Sequence, residues 1–212
     1  MKQRDPSFFM SKGRIEALTD GVYAIAMTLL ALNLTIPELI EEMNETRLWE
    51  ILNGLMVKLD DYILSFMFLA IFWIIHNEQM HYVRKADRPF LWIQILCLVF
   101  VVLIPTSTSL VAFYGGLQVS DMVFELNILI IGLLYLASWQ YLSRNPQLSD
   151  GAPNPGAMDR EKMKTFLIVV FSLVAMIVSF AFPGWSTALY FLLPVLVALS
   201  TFRPVRKEGK KE

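Results

Sequence analysis

Six apolar stretches, each long enough or nearly long enough to cross a lipid bilayer, constrain this chain more than any other feature. They run at about 15–36, 59–76, 90–113, 122–141, 166–182 and 188–202. The hydrocarbon core of a bilayer is roughly 30 Å thick and a helix rises about 1.5 Å per residue, so a span needs about 20 mostly apolar residues. The second stretch reaches that length only if Leu59, Asp60 and Asp61 form its outer end. Pro183, Gly184 and Trp185 separate the fifth from the sixth and read as a tight turn. None of the stretches alternates apolar and polar residues as a barrel strand would, and inside lipid only helices or closed barrels satisfy the backbone. The expected fold class is therefore all-α, an integral membrane protein with six transmembrane helices. Ala24-Ile25-Ala26 has the form of a signal-peptidase site, but the apolar run continues to Leu34, so the reading is an uncleaved span.

The lysines and arginines orient these spans. Sixteen of the 18 fall on one side: Lys2, Arg4, Lys12 and Arg14, then Arg84, Lys85 and Arg88, then Arg144, Arg160, Lys162 and Lys164, and finally the five in the basic tail at 203–212. Only Arg47 and Lys58 lie opposite. By the positive-inside rule both the N- and C-termini are cytoplasmic, which agrees with an even number of spans. With 17% charged residues against about 25% in a soluble domain, the chain lacks the polar surface that water requires. The net charge of −1 provides no basic field, so no nucleic-acid partner is expected. Cys97, the single cysteine, reads as a small buried apolar side chain.

The chain reads as one domain over 1–212. The outer segment at 38–58 carries Glu38, Glu41, Glu42, Glu45 and Glu50, with Leu48, Ile51, Leu52 and Leu55 at helical spacing. It predicts an amphipathic helix on the membrane surface, with a solvated loop as the equal alternative. Residues 143–163, with Pro146, Gly151, Pro153, Pro155 and Gly156, read as a flexible cytoplasmic connector. Pro105 interrupts the third span, and the run Thr106 to Ser109 offers hydroxyls to the carbonyls it frees.

Signatures of soluble enzymes are absent: no phosphate loop, no nucleophile elbow, no histidine pair at metal spacing. His76 and His81 are five residues apart, about 140° around a helix, so they do not face one ligand. Glu41-Glu42 followed by Arg47 approximates an element of intramembrane proteases, but its spacing is one residue too long and it sits in an outer loop. The reading is no enzyme, no cofactor and no resident metal. The informative polar groups are at the cytoplasmic ends of the helices: Arg14, Thr19 and Asp20 in span one, Trp73 and His76 ending span two, Trp92 and Gln94 beginning span three. An ionisable residue such as Asp20 within a membrane helix usually has a partner or a function. Arg14 lies about 120° away around the same helix, so Asp20 is expected to meet His76 or the Trp73 indole. A structural clamp between helices is the first reading, a proton relay or gate the alternative, and a clamp containing histidine would also confer pH sensitivity. Ile25 and Leu32 lie within about 20° of one direction, with Thr28 and Leu29 flanking; pattern alone reads this stripe as helix packing.

These residues resemble the transmembrane protein 175 family, the lysosomal potassium channels and their prokaryotic relatives. The similarity lies in Arg14-Ile-Glu-Ala-Leu18-Thr19-Asp20 with the apolar run after it, in Ser65-Phe66 leading to Phe72-Trp73-Ile74-Ile75-His76, and in Trp92-Ile93-Gln94 leading to Leu103-Ile104-Pro105. Leu18 and Thr19 stand where the family has Phe and Ser, and Gln94 where it has Asn. The resemblance implies a potassium-permeable leak channel without a carbonyl filter. It implies Ile25 and Leu32 as inner and outer constrictions, Thr28 and Leu29 as further lining, and Arg14, Thr19, Asp20, Trp73, His76 and Gln94 as the clamp. One six-helix repeat per chain implies a homotetramer around a central pore lined by the first helix, in the cell membrane of a prokaryote. The permeant ion would be K+, with other monovalent cations or protons as further candidates, and the bilayer itself is the remaining partner. The alternative function is a secondary transporter or proton-coupled carrier.

Overall fold

A computed structural model describes residues 9–32, 34, 44–114, 117–149 and 155–181. Its elements, in order, are β1 (Met10–Ser11), α1 (Lys12–Leu32), α2 (Glu45–Tyr82), β2 (Lys85–Ala86), α3 (Arg88–Tyr114), α4 (Gln118–Arg144), a 3-10 turn (Pro146–Leu148) and α5 (Pro155–Ala181). Among the described residues four helices are long and apolar enough to cross a membrane: α1, α3, α4 and the part of α5 from Met158. They match expected spans one, three, four and five. The sixth expected span, the turn before it and the basic tail lie outside the described residues.

Expected span two lies inside α2, which is not among those four. Its apolar run continues directly from the outer segment, whose Glu45, Arg47, Glu50, Lys58, Asp60 and Asp61 make the helix half polar. The surface helix or loop anticipated there is instead the first part of one 38-residue helix, about 57 Å long at about 1.5 Å per residue. Asn44 starts it, its side-chain oxygen accepting from the Arg47 amide at 2.8 Å. Gly54 is the one glycine in this part of the helix, which contains no proline, and a helix tolerates one glycine. The connector is also shorter than expected, because α4 continues to Arg144 and α5 begins at Pro155, a residue suited to a helix's first turn.

The helices form one bundle in which α1 lies against α2 and α3, α3 against α4, and α4 against α5. Its core runs through Tyr23, Phe68, Phe72, Val101, Ile128 and Tyr135. Phe72 stacks on Tyr135 with centroids 6.0 Å apart, and the Tyr135 and Tyr23 hydroxyls meet at 2.9 Å in the buried interior. A smaller cluster of Ile15, Met80, Phe90, Trp139 and Leu148 closes the end of the bundle where α1 begins and α2 stops. There β1 pairs antiparallel with β2, and the Arg84 amide donates to the Leu148 carbonyl at 2.9 Å. The start of α1 and two loops are thereby held together. Asp87 caps α3 through the Phe90 amide at 3.1 Å, and its second oxygen accepts from the Tyr141 hydroxyl at 2.7 Å. Pro105 is accommodated inside α3, but the nearby hydroxyls do not reach the Val101 carbonyl that it frees. Ser107 and Thr108 donate to Ile104, and Ser109 donates to Pro105.

Two contacts set the position of α5. At Gly132 of α4 an added Cβ would sit 2.9 Å from Val169 Cγ2, so the close approach of these helices depends on a missing side chain. Near the last turns of α2, Lys164 Nζ lies 2.8 Å from Glu161 and 3.6 Å from Glu78. Burial, then the hydrogen bond and charge of Glu161, push Glu78 up to about 7, against the pull of Lys164. A carboxyl raised in this way contributes stability that is fully present below its ordinary range and is lost as pH rises through about 7.

Gly132→Val should lower stability in detergent by about 1–3 kcal/mol through overpacking, with part of the loss recovered by adding Val169→Ala; thermal melting of the two variants measures this. The melting temperature should fall as pH rises from about 5 to about 7 and level off above that, and Glu78→Gln should remove that part of the dependence.

Candidate functional site

Helix α1 presents two different sides. Ile15, Thr19, Tyr23, Ala26 and Leu30 are buried against the bundle. The opposite side is exposed, and at about 100° per residue it divides into two stripes. One is bulky and contains Arg14, Leu18, Ile25, Leu29 and Leu32; the other is small and contains Ala17, Gly21, Ala24, Thr28 and Ala31. Ile25 is 60% exposed and Leu32 66%, so these apolar side chains are left uncovered by the protomer's own core. Thr28 Oγ1 donates to the Ile25 carbonyl at 2.8 Å, which satisfies the hydroxyl within the helix and leaves its oxygen facing outward as an acceptor. A Cβ at Gly21 would meet nothing within 4 Å.

Nearer the start of α1, Trp73 Nε1 donates to Asp20 Oδ1 at 2.8 Å. This is one of the two contacts that the sequence allowed for Asp20, and it pins α1 to α2. Arg14 is exposed one and a half turns further down. His76, one turn beyond Trp73, is 1% exposed and lies edge-on to Tyr135 with centroids 6.5 Å apart. Thr19 is equally buried, and its hydroxyl has no hydrogen-bond partner among the described residues. Buried polar groups of this kind are normally satisfied by protein or by ordered water.

Gln94 also joins a group of side chains that the sequence reading did not name. Its Nε2 donates to Gln79 Oε1 and to Ser138 Oγ, both at 2.8 Å, and Ser138 donates to Gln79 Oε1 at 2.8 Å. The triangle ties α2, α3 and α4 together, with all three side chains almost fully buried. Gln79 and Ser138 escaped the sequence reading. Gln79 is one turn beyond His76 on the same side of α2, and that spacing was a usable signal. Asp121 and Glu125 were also missed. They lie one turn apart at the outer end of α4, 4% and 1% exposed, and carboxyl groups inside a membrane helix mark a functional position by default. Among the described residues no group of three or more His, Cys, Asp or Glu side chains converges as a metal site requires.

Residues 14–105, which carry α1, α2 and most of α3, match the family described as the endosomal/lysosomal potassium channel TMEM175. A potassium channel of Streptomyces collinus is 32% identical over 142 residues, covering 65% of this chain and 68% of that protein. The human endosomal/lysosomal proton channel TMEM175 is 35% identical over 97 residues, which is 43% of this chain and 19% of the human protein. The crystal structure of a lysosomal potassium-selective channel TMEM175 homolog from Chamaesiphon minutus shares the fold, with a TM-score of 0.75 at 24% identity over 90% of this chain and 98% of that one. The region of sequence similarity includes both stripes of α1 and the Asp20–Trp73 contact, and the chain belongs to the TMEM175 family.

Proposed function

We propose that this chain forms a potassium-permeable leak channel in which four copies surround a central pore lined by α1. The observation that carries the reading is the bulky stripe of α1. Arg14, Leu18, Ile25, Leu29 and Leu32 share one direction and are left exposed, as pore-facing side chains of a single protomer would be. The adjoining small stripe suits close approach of a neighbouring α1, because small residues let helix backbones pack tightly in lipid. Ile25 and Leu32 then narrow the pore at two depths, and an apolar ring can stop flow by dewetting. Thr28, between them, offers its oxygen to a partly dehydrated cation. The permeant ion is K+, in keeping with the potassium channel of Streptomyces collinus. In this arrangement six helices cross the cell membrane of a prokaryote, with both termini in the cytoplasm. Proton permeation is a second reading, favoured by the name of the human relative as a proton channel.

The Asp20–Trp73 contact acts here as a clamp that holds α1 at its cytoplasmic end. Thr19, His76 and Arg14 belong to the same level, and the Gln94 triangle stiffens the helices behind it.

Purified protein in a planar bilayer with unequal K+ and Na+ should give discrete conductance with a reversal potential near that for K+. Saturable flux coupled to a second solute would instead indicate a carrier, and a reversal potential that follows the pH gradient would indicate protons. Ile25→Asn and Leu32→Ala should each change conductance or the K+/Na+ preference, and unchanged currents in both would move the pore away from α1. Trp73→Phe should reduce the tetramer fraction on native gels while leaving the ion preference of assembled channels intact. Intact tetramers with altered pH dependence would point to a relay rather than a clamp.

A further inference from the structure

Along one flank of α2, Trp49, Leu52, Met56 and Leu59 recur at intervals of three, four and three residues. Ile63, Phe66, Ala70 and Trp73 continue the alternation without a break. Alternating steps of three and four draw one seam along a helix, the spacing by which helices pack side by side. The charges avoid it: Arg47, Glu50, Lys58 and Asp61 all lie more than about 120° away around the helix axis. The protomer leaves the seam open, with Trp49 66% and Met56 61% exposed. Its own bundle takes the adjacent side of α2, where Ile51 and Leu55 are half-buried and Lys58 Nζ lies 4.4 Å from the centre of the Phe113 ring on α3. At its far end the seam reaches α1. Trp73 donates to Asp20, which stands between the buried side of α1 and the small stripe of Ala17, Gly21 and Ala24. A copy that approaches the small stripe therefore also meets the seam.

With span two at 59–76, residues 45–58 extend about 21 Å past its outer end. Apolar side chains inside the bilayer can face lipid, but those on this extension stand in water unless protein covers them. An amphipathic helix can also bury such a side by lying flat on a membrane. This one is continuous with the rest of α2 and contains no proline at which to turn aside. We propose that the extension Glu45–Lys58 is a contact between copies of this chain, in which the seam packs against a helix of the neighbouring copy and carries the α1 interface outward beyond the membrane; this rests on the four-copy reading above. The heptad spacing selects a helix as the partner. The bilayer supplies it, because it holds every copy at one height and in one direction, and a ring of copies repeats the contact at each boundary.

The test uses the full chain, first in detergent and then in lipid nanodiscs. Met56→Glu and Trp49→Glu should each raise the concentration at which half of the protein is tetrameric by about tenfold or more, the effect of losing one buried apolar side chain per contact. Gly54→Glu adds the same charge on the far side of the helix, where a Cβ meets nothing within 4 Å, and should leave assembly unchanged. A bimane on Met56→Cys, in a Cys97→Ala background, reads the cover directly, whether or not the glutamate variants fold. In nanodiscs it should be shielded several-fold from aqueous iodide relative to a bimane on Gly54→Cys, and brominated lipid should not quench it. Equal quenching of both probes by iodide would overturn the inference, and so would quenching by brominated lipid, which places the segment in the membrane. Assembly of both glutamate variants at wild-type strength would also overturn it. Conducting tetramers with an uncovered extension remove this contact alone, whereas a monomeric wild-type chain removes the four-copy reading with it.

Discussion

In hydrocarbon a polar group must find its partner inside the protein, and this requirement organises the bundle. It dictates helices in the first place, since a helix satisfies its own backbone. It also governs where hydroxyls and amides can go. Thr28, Ser107, Thr108 and Ser109 all donate back to carbonyls of their own helix. Gln79, Gln94 and Ser138 bond to one another across three helices, and Tyr23 and Tyr135 meet across two. Because apolar contact between helices does not distinguish protein from lipid tails, such directional contacts and close steric fit decide which faces meet.

The interior of the protomer is layered by the same rule. A polar level containing Asp20, Trp73, His76 and Gln94 lies toward the end of the bundle where α1 begins, and a second level of Ser65, Thr108, Ser107 and Asn127 lies toward the opposite end. Between them lies a dry core in which Phe68, Phe72, Ile128 and Ile131 are almost fully buried. Among the described residues no continuous polar track runs through this core. A conducting path is more naturally sought along the exposed face of α1, where separate copies can meet.

That face was only half legible beforehand. The 3.6-residue period places Ile25, Leu29 and Leu32 on one side from spacing alone, yet the same spacing fits a stripe packed into a core. Solvent exposure of these residues, with Ile15, Tyr23 and Leu30 buried opposite, distinguishes the two cases. The Asp20 partner was narrowed to two candidates by depth and angle, and packing selected the Trp73 indole over His76. Gln94 was assigned to the clamp because it begins span three at the right depth. Its amide nitrogen also reaches acceptors on two helices, Gln79 Oε1 of α2 and Ser138 Oγ of α4.

The sequence by itself determined that the chain is helical, which segments are apolar enough for lipid, and how the basic residues divide between two sides. These are one-dimensional properties: run length, period and charge count. The continuity of α2 from Glu45 to Tyr82, the turn of α1 toward the bundle, and the triangle of Gln79, Gln94 and Ser138 were decided only by the tertiary structure. The physical reason is that a period fixes angles around one helix axis, whereas the rotation and depth of one helix against another follow from contacts between residues far apart in the chain.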